Sequence, residues 1–258
     1  MSLPKLTKID PHKFISFGVQ TSWGLADPAR FYELMGEAIK CVAPGFYFGD
    51  NLFTWSRNNS AFEDVAFRKS WEENIKNDAD RAIAWRRYVL ACAGYHCMHF
   101  RGDFVECGVY CGSGIKTVVD YLGAKDFEKT FWGYDTFDFN PVEGQAFAGQ
   151  QPGFFEEVKA RFAGYHQVKL VSGLIPASFA QSCPTQIAYL HIDLNNAEAE
   201  IATLERLFDL VVAGGIIILD DYEWSAYRPQ KIAEDAWFEA RQYRVLPLPT
   251  GQGLVIKR

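Results

Sequence analysis

From Asp103 to the carboxyl end, short apolar runs alternate with helical periodicity, and the runs end in glycine, aspartate or an aromatic residue beside one of them. They read DFVECGVY (103–110), TFWGYDTF (130–137), QVKLVSG (167–173), QIAYLHID (186–193) and GGIIILDDY (214–222). Between the first two, Ile115, Val118, Val119 and Leu122 recur at helix-face spacing, as do Ile201, Leu204, Phe208 and Val211 between the last two. Strands that alternate with helices imply a parallel sheet covered on both faces. PQKIAEDAWFEARQ (229–242) reads as one more helix, with Pro229 near its start. YRVLPLP and GLVIKR flank Thr250-Gly251-Gln252-Gly253 and read as a β-hairpin. The predicted fold class is therefore α/β: a mostly parallel sheet finished by an antiparallel carboxyl-terminal hairpin.

Residues 1–100 have another texture, aromatic and helical, with no run of strands. Asp27-Pro28 predicts an N-cap with proline in the first turn. Phe31, Leu34, Met35, Ala38, Ile39 and Val42 then repeat at helical spacing. A second helical pattern runs from Trp71 to Met98. Between them FYFGDNLFTWSRNNSAFED (46–64) reads as an aromatic loop, packed on the rest of the chain or folded as a lid over a site. The chain thus divides into an amino-terminal lid and dimerisation region, 1–100, and a core, 101–258.

Composition narrows the function. Of 258 residues 48% are hydrophobic and 22% charged, enough for a full core and against disorder. A net charge of −6 argues against nucleic acid and anionic membrane surfaces as partners. Leu210–Leu219, the longest apolar stretch, is half a membrane span and holds two glycines. MSLPKLTKIDPHKF lacks the apolar centre of a signal peptide, so a cytoplasmic location and free thiols are expected of the six cysteines. Asn58-Asn59-Ser60 is then no glycosylation acceptor, and His96-Cys97-Met98-His99 places its neighbours on opposite sides of an element rather than around a metal.

Three strand ends carry cofactor signals. In FVECGVYCGSG (104–114) glycines 108, 112 and 114 allow backbone to approach a ligand at the next helix's start. Their spacing departs from G-x-G-x-x-G, and Glu106 would repel a pyrophosphate while suiting a ligand that carries an amino acid group. The alternative is a tight strand-to-helix connection. Asp135, ending the second strand, suits two ribose hydroxyls or a helix N-cap. Ser172-Gly173, after the third, suits the edge of an adenine.

FVECGVYCGSG, YDTFDF (134–139), VSGLIPASF (171–179), LHID (190–193) and GGIIILDDY, in that order, resemble the class I S-adenosylmethionine-dependent methyltransferases. More narrowly the set is similar to the macrocin O-methyltransferase family, which modifies sugar and natural-product hydroxyls. The resemblance covers roughly residues 100–258 and implies a Rossmann-like sheet. It also implies S-adenosylmethionine as cofactor, with Glu106, Gly108 and Ser113 around the methionine part, Asp135 on the ribose and Ser172 near the adenine. Tyr110, Gly112, Thr136 and Gly173 join them as cofactor contacts. The implied partner is a small-molecule acceptor. The apolar content of residues 1–100 exceeds what a free surface normally exposes, so that region is expected to contribute to a homodimer.

The cofactor carries the electrophile, so the protein must align an acceptor and remove its proton. Asp193 ends the fourth strand, and Asp220 and Asp221 end the fifth, where an open α/β sheet faces its ligand crevice. Converging carboxylates repel unless a cation joins them, and oxygen ligands suit Mg²⁺, so the three are the expected metal ligands. The alternative is that they cap helices. Two departures stand out. The family more often follows LHID with an acid and a tyrosine where this chain has Asn195 and Ala197, and Asn196 replaces the lysine base of catechol O-methyltransferases. The expected base is Asp193, with His191 second. The competing expectations are a metal-free N- or C-methyltransferase and a lapsed binder of S-adenosylmethionine.

Overall fold

A computed structural model describes residues 3–5, 7–138 and 151–258. Phe139, the last residue of YDTFDF, lies outside the described residues, as do Met1, Ser2 and Leu6.

Asp27 acts as predicted. Its carboxylate accepts the Arg30 N–H at 3.0 Å, Pro28 opens the helix, and α1 (Pro28–Lys40) follows. The stretch 46–64 is not a loop. It contains β2 (Tyr47–Gly49), β3 (Leu52–Thr54) and α2 (Ser60–Glu63), and β1 (Phe17–Gly18) pairs with β2 to complete a three-stranded sheet. The hairpin turns on Asp50-Asn51, at φ 48° and 53°. That is the two-residue turn whose twist matches paired strands, and aspartate and asparagine tolerate it. Strands this short leave no alternation to detect.

The helical pattern from Trp71 to Met98 is likewise three helices, α3 (Val65–Asn74), α4 (Asp78–Ala82) and α5 (Ala84–Cys97). Ile75 breaks the first with extended backbone, and the Asn77 side chain caps the second by accepting the Asp80 N–H at 2.9 Å.

The large sheet holds β4 (Asp103–Cys107), β5 (Phe131–Asp135), β6 (Val168–Ser172), β7 (Ile187–Ile192), β8 (Val211–Leu219), β9 (Leu246–Pro247) and β10 (Gly253–Ile256). Their order is β6-β5-β4-β7-β8-β10-β9. The first five run parallel, and β10 lies antiparallel to β8 and β9 as the hairpin predicts. The order reverses between β4 and β7, the switch point outside which open α/β sheets bind ligands. Successive residues face opposite sides. Phe104, Tyr189 and Ile218 point into one core with α6 (Ser113–Tyr121), while Val105, Leu190 and Ile217 point into the other with α8 (Ala197–Leu207) and α9 (Arg228–Glu239). Tyr47, Phe62, Phe67, Trp71 and Leu90 join the first core, so both halves of the sequence share it.

One ionisable pair sits where α8 meets α9. Glu200 and Glu234 are both buried, and Glu200 accepts Gln230 Nε2 at 2.9 Å and the Leu194 N–H at 3.3 Å. Carboxylate oxygens only accept, so the two acids bond only when one keeps a proton. Burial, then the charge of Glu234, pushes Glu200 up to about 9, and burial pushes Glu234 up to about 7. Acids harder to ionise when folded give stability that is present below the unfolded pKa and lost as pH rises through the folded values. Melting temperature should therefore fall from pH 5 to pH 9, and Glu234→Gln should flatten that fall. The variant gains roughly 2–4 °C for each kcal/mol recovered at the alkaline end. Parallel melting curves for the two proteins across that range would contradict the assignment.

Candidate active site at the carboxyl ends of β4, β7 and β8

Ladder bonds continue past the strand ends and fix the loops above them. Asp193 N–H donates to Cys107 O at 2.8 Å, Asp220 N–H to Ile192 O at 2.9 Å and Gly108 N–H to Tyr134 O at 2.8 Å. Gly108 has φ 92°, and a Cβ there would fall 1.7 Å from Asp193 O. The glycine turn and the Asp193 loop are therefore in backbone contact.

In the register of β4 and β7, Glu106 lies beside His191. The buried imidazole links Glu106 Oε2, 2.9 Å from Nδ1, to Asp220 Oδ1, 3.3 Å from Nε2. Burial disfavours its charge, but the hydrogen bonds to Asp220 and Glu106 outweigh it and push His191 up to about 10. As an imidazolium it donates from both nitrogens and has no lone pair for a proton or a metal. His191, second candidate for the base, is thus a donor to two acids.

Asp193, Asp220 and Asp221 do converge, and His191, Asp193 and Asp220 each present one donor atom within 4.8 Å of the others. What joins the acids is a side chain the sequence reading missed. Arg86 Nη1 donates to Asp220 Oδ2 at 2.6 Å and to Asp221 Oδ1 at 3.0 Å, and Arg86 Nε donates to Thr250 O at 3.1 Å. Gln252 Nε2 adds a bond to Asp220 Oδ1 at 2.7 Å. Burial would raise Asp220, but the Arg86 guanidinium and then His191 hold it well below the usual carboxylate range. Asp193 is raised by burial and by the charges of Asp220 and Asp221, and its carboxylate makes no hydrogen bond or ion pair among the described residues. Like charges 4 Å apart repel by about 4 kcal/mol at an effective dielectric near 20, and a divalent ion doubles that. The donor set as arranged holds a guanidinium and does not fit a Mg²⁺ ion beside it.

Arg86 and Arg87 lie in α5, a helix read from its apolar positions. Two adjacent arginines in AWRRYVLACAGYHC were the available signal, since buried arginine is rare unless paired. Asp50 aims α5 at the crevice, accepting the Trp85 and Arg86 N–H groups at 3.0 and 3.1 Å. Burial pushes Asp50 up to about 6 despite these bonds.

The turn from Gly108 to Gly114 offers bare backbone. Gly112, at φ 79°, caps α6 without a side-chain bond, which leaves first-turn amides for an anionic group such as the carboxylate of an amino acid. Ser113 is buried and donates to Asp80 Oδ2 at 2.9 Å, so it braces the turn against α4. Tyr110 is half exposed, beside Phe154 of α7 (Phe154–Arg161). Ser172 Oγ donates to Thr136 O at 3.2 Å, and Gly173 N–H to Asp135 O at 2.9 Å, which holds β6 and the loop after β5 together. Asn196 caps α8 by accepting the Ala199 N–H at 2.9 Å.

Asp135 is turned into the glycine turn. It accepts the N–H groups of Val109 and Tyr110, both at 2.7 Å, and of Phe137 at 2.8 Å. These take three of about four acceptor positions on a carboxylate, so a ribose would have to share them. Asp135→Ala should therefore lower stability as well as cofactor affinity, by roughly 1–3 kcal/mol for the amides left unpaired. Chemical denaturation of the free protein checks it, since a pure ligand contact would leave that curve unmoved.

The strand order, the bare turn at the switch point and the acids above β7 and β8 define a Rossmann-like methyltransferase fold. The macrocin O-methyltransferase (TylF) family matches residues 95–244, and the chain belongs to that family. Demethyldecarbamoylnovobiocin O-methyltransferase of Streptomyces niveus is 30% identical over 138 residues, 47% of this chain and 53% of that protein. The chain thus matches about half the length of this curated relative. Among solved structures, the O-methyltransferase NovP has a TM-score of 0.56 at 23% identity, covering 67% of this chain and 79% of its own. CalS11, the calicheamicin methyltransferase, has 0.53 at 16%, covering 78% and 94%. Both show the shared fold. No helix among the described residues is long and apolar enough to cross a membrane.

Proposed function

We propose that this chain transfers a methyl group from S-adenosylmethionine to a hydroxyl of a small molecule of sugar or natural-product type. The observation that carries the reading is Asp193, a half-buried carboxylate with no hydrogen-bond partner among the described residues, whose backbone lies against the glycine turn at the switch point of a macrocin O-methyltransferase family fold. The cofactor supplies the methyl group on a sulfonium. The bare backbone from Gly108 to Gly114 binds its amino acid end, and Asp135 shares its acceptor positions with the ribose. Asp193 takes the acceptor's proton, and its raised pKa makes it a stronger base than an exposed carboxylate. The acceptor lies toward a cleft of about 570 Å³ whose walls include Asp50, Asn51, Glu223, Trp224 and Gly251. An indole face beside acids suits a hydroxylated ring.

The amino-terminal region, 1–100, serves as lid and dimer surface, which is supported by α1, none of whose side chains is buried in the single chain. The curated relative acts on demethyldecarbamoylnovobiocin by its name, and that supports the same choice of substrate class here. The test is transfer of labelled methyl from S-adenosylmethionine to a panel of sugar nucleotides and glycosylated aromatics. Labelled oxygen-methyl product supports the reading. Calorimetric binding of NAD with no response to S-adenosylmethionine would end it.

A further inference from the structure

We propose that Arg86 is the resident cation of the carboxylate cluster, standing where a divalent ion would otherwise join Asp193, Asp220 and Asp221. The cluster then takes up no divalent metal until Arg86 is removed. Three observations carry this. The guanidinium is held from several directions at once, by Asp220 and Asp221 on one nitrogen, by Thr250 O on another and by the Trp224 ring 4.9 Å away. Its own helix is anchored by Asp50, so the side chain enters the cluster from a fixed point. Both Asp220 oxygens are engaged, one by Arg86 and the other by Gln252 and His191, so a metal would have to share an oxygen that is already bonded.

Arginine does not deprotonate in proteins, so this cation cannot be titrated away. Swinging it out would leave buried Asp220 and half-buried Asp221 side by side without the guanidinium between them. The place itself has the donors for an ion, since carboxylate oxygens of Asp193 and Asp220 lie within 4.8 Å of one another and Asp221 shares Arg86 Nη1 with Asp220. Removing the guanidinium should therefore open a site rather than merely lose an ion pair. The inference refines the proposed methyl transfer by making it independent of metal, but its main readout is metal binding.

Mn²⁺ titration of the full chain, followed by electron paramagnetic resonance of the free ion, tests it. The unmodified protein should leave the ion free, whereas Arg86→Ala should bind it at least about tenfold more tightly. That uptake should vanish when Asp193→Asn is added. Arg86→Gln, which keeps the carbon stem and a donor near the Nε position for Thr250, serves in place of Arg86→Ala if the latter does not melt cooperatively. Mn²⁺ taken up by the unmodified protein and released by Asp220→Asn overturns the proposal, as does a folded Arg86 variant that takes up none. Methyl transfer that survives excess chelator supports it, and transfer lost in chelator and restored by Mg²⁺ overturns it. Absence of transfer under every condition strikes the proposed function alone, and the Mn²⁺ titration still decides the role of Arg86.

Discussion

Gly108→Ala should cost the protein more stability than any other single methyl group added at the site. The residue sits at φ 92°, and left-handed backbone costs an L-residue roughly 1–2 kcal/mol. The larger cost is steric. The new methyl would lie 1.7 Å from Asp193 O and 2.6 Å from its carbonyl carbon, both backbone atoms with no rotamer to escape into. The β7 strand end must move, and with it the bond from Asp193 N–H to Cys107 O. Overpacking adds about 1–3 kcal/mol where a core can yield, and this contact yields less. Against total stabilities of roughly 5–15 kcal/mol, the expected outcome is a large drop in melting temperature and loss of cofactor binding. Gly24→Ala is the control, because Gly24 has φ 72° with nothing within 4 Å of the added carbon. It should show the backbone cost alone, and equal losses in the two variants would mean that the Asp193 contact is not tight.

That contact explains why much of the fold was legible. Strands buried on both faces must be apolar throughout, and they must stop where the chain turns, so IAYLHI and GGIIILDD carry their own boundaries. Acids at those boundaries then fall on the crevice by topology alone. Asp193 and Asp220 were visible for that reason, whereas the arginine paired with Asp220 was not. Arg86 lies 134 residues from Asp220, on a helix recognised by its apolar face, and periodicity treats an arginine there as a solvated position. Asp50 was hidden differently. Its turn belongs to a hairpin with three residues per strand, and it caps a helix that begins more than thirty positions later. His191, the second candidate for the base, is fully buried in the sheet. It also bridges Glu106 and Asp220, a role set by register between β4, β7 and β8, which only the folded sheet fixes. Long-range charge pairing was therefore the part that local pattern could not supply.

Asp193→Asn should leave a folded protein that binds cofactor and turns over poorly. The substitution keeps shape and removes only the capacity to accept a proton, which in enzymes that depend on a positioned base costs roughly 10²–10⁴-fold in rate. The cofactor contacts assigned to the glycine turn and Asp135 are backbone or lie on other strands, so affinity for S-adenosylmethionine should change little. Stability should move the opposite way to activity. Burial and the charges of Asp220 and Asp221 raise the Asp193 pKa, so the folded chain resists its ionisation. A raised acid gives stability that is present below its unfolded pKa and is lost as pH climbs through the folded value. Asparagine abolishes that loss, so at pH 8 the variant should melt no lower than the unmodified protein, and the gap should close toward pH 4. A merely structural Asp193 would give the reverse, a less stable protein with activity in proportion to the folded fraction. Single-turnover methyl transfer and melting curves on the same preparations separate the two, and full turnover in Asp193→Asn would remove Asp193 as the base.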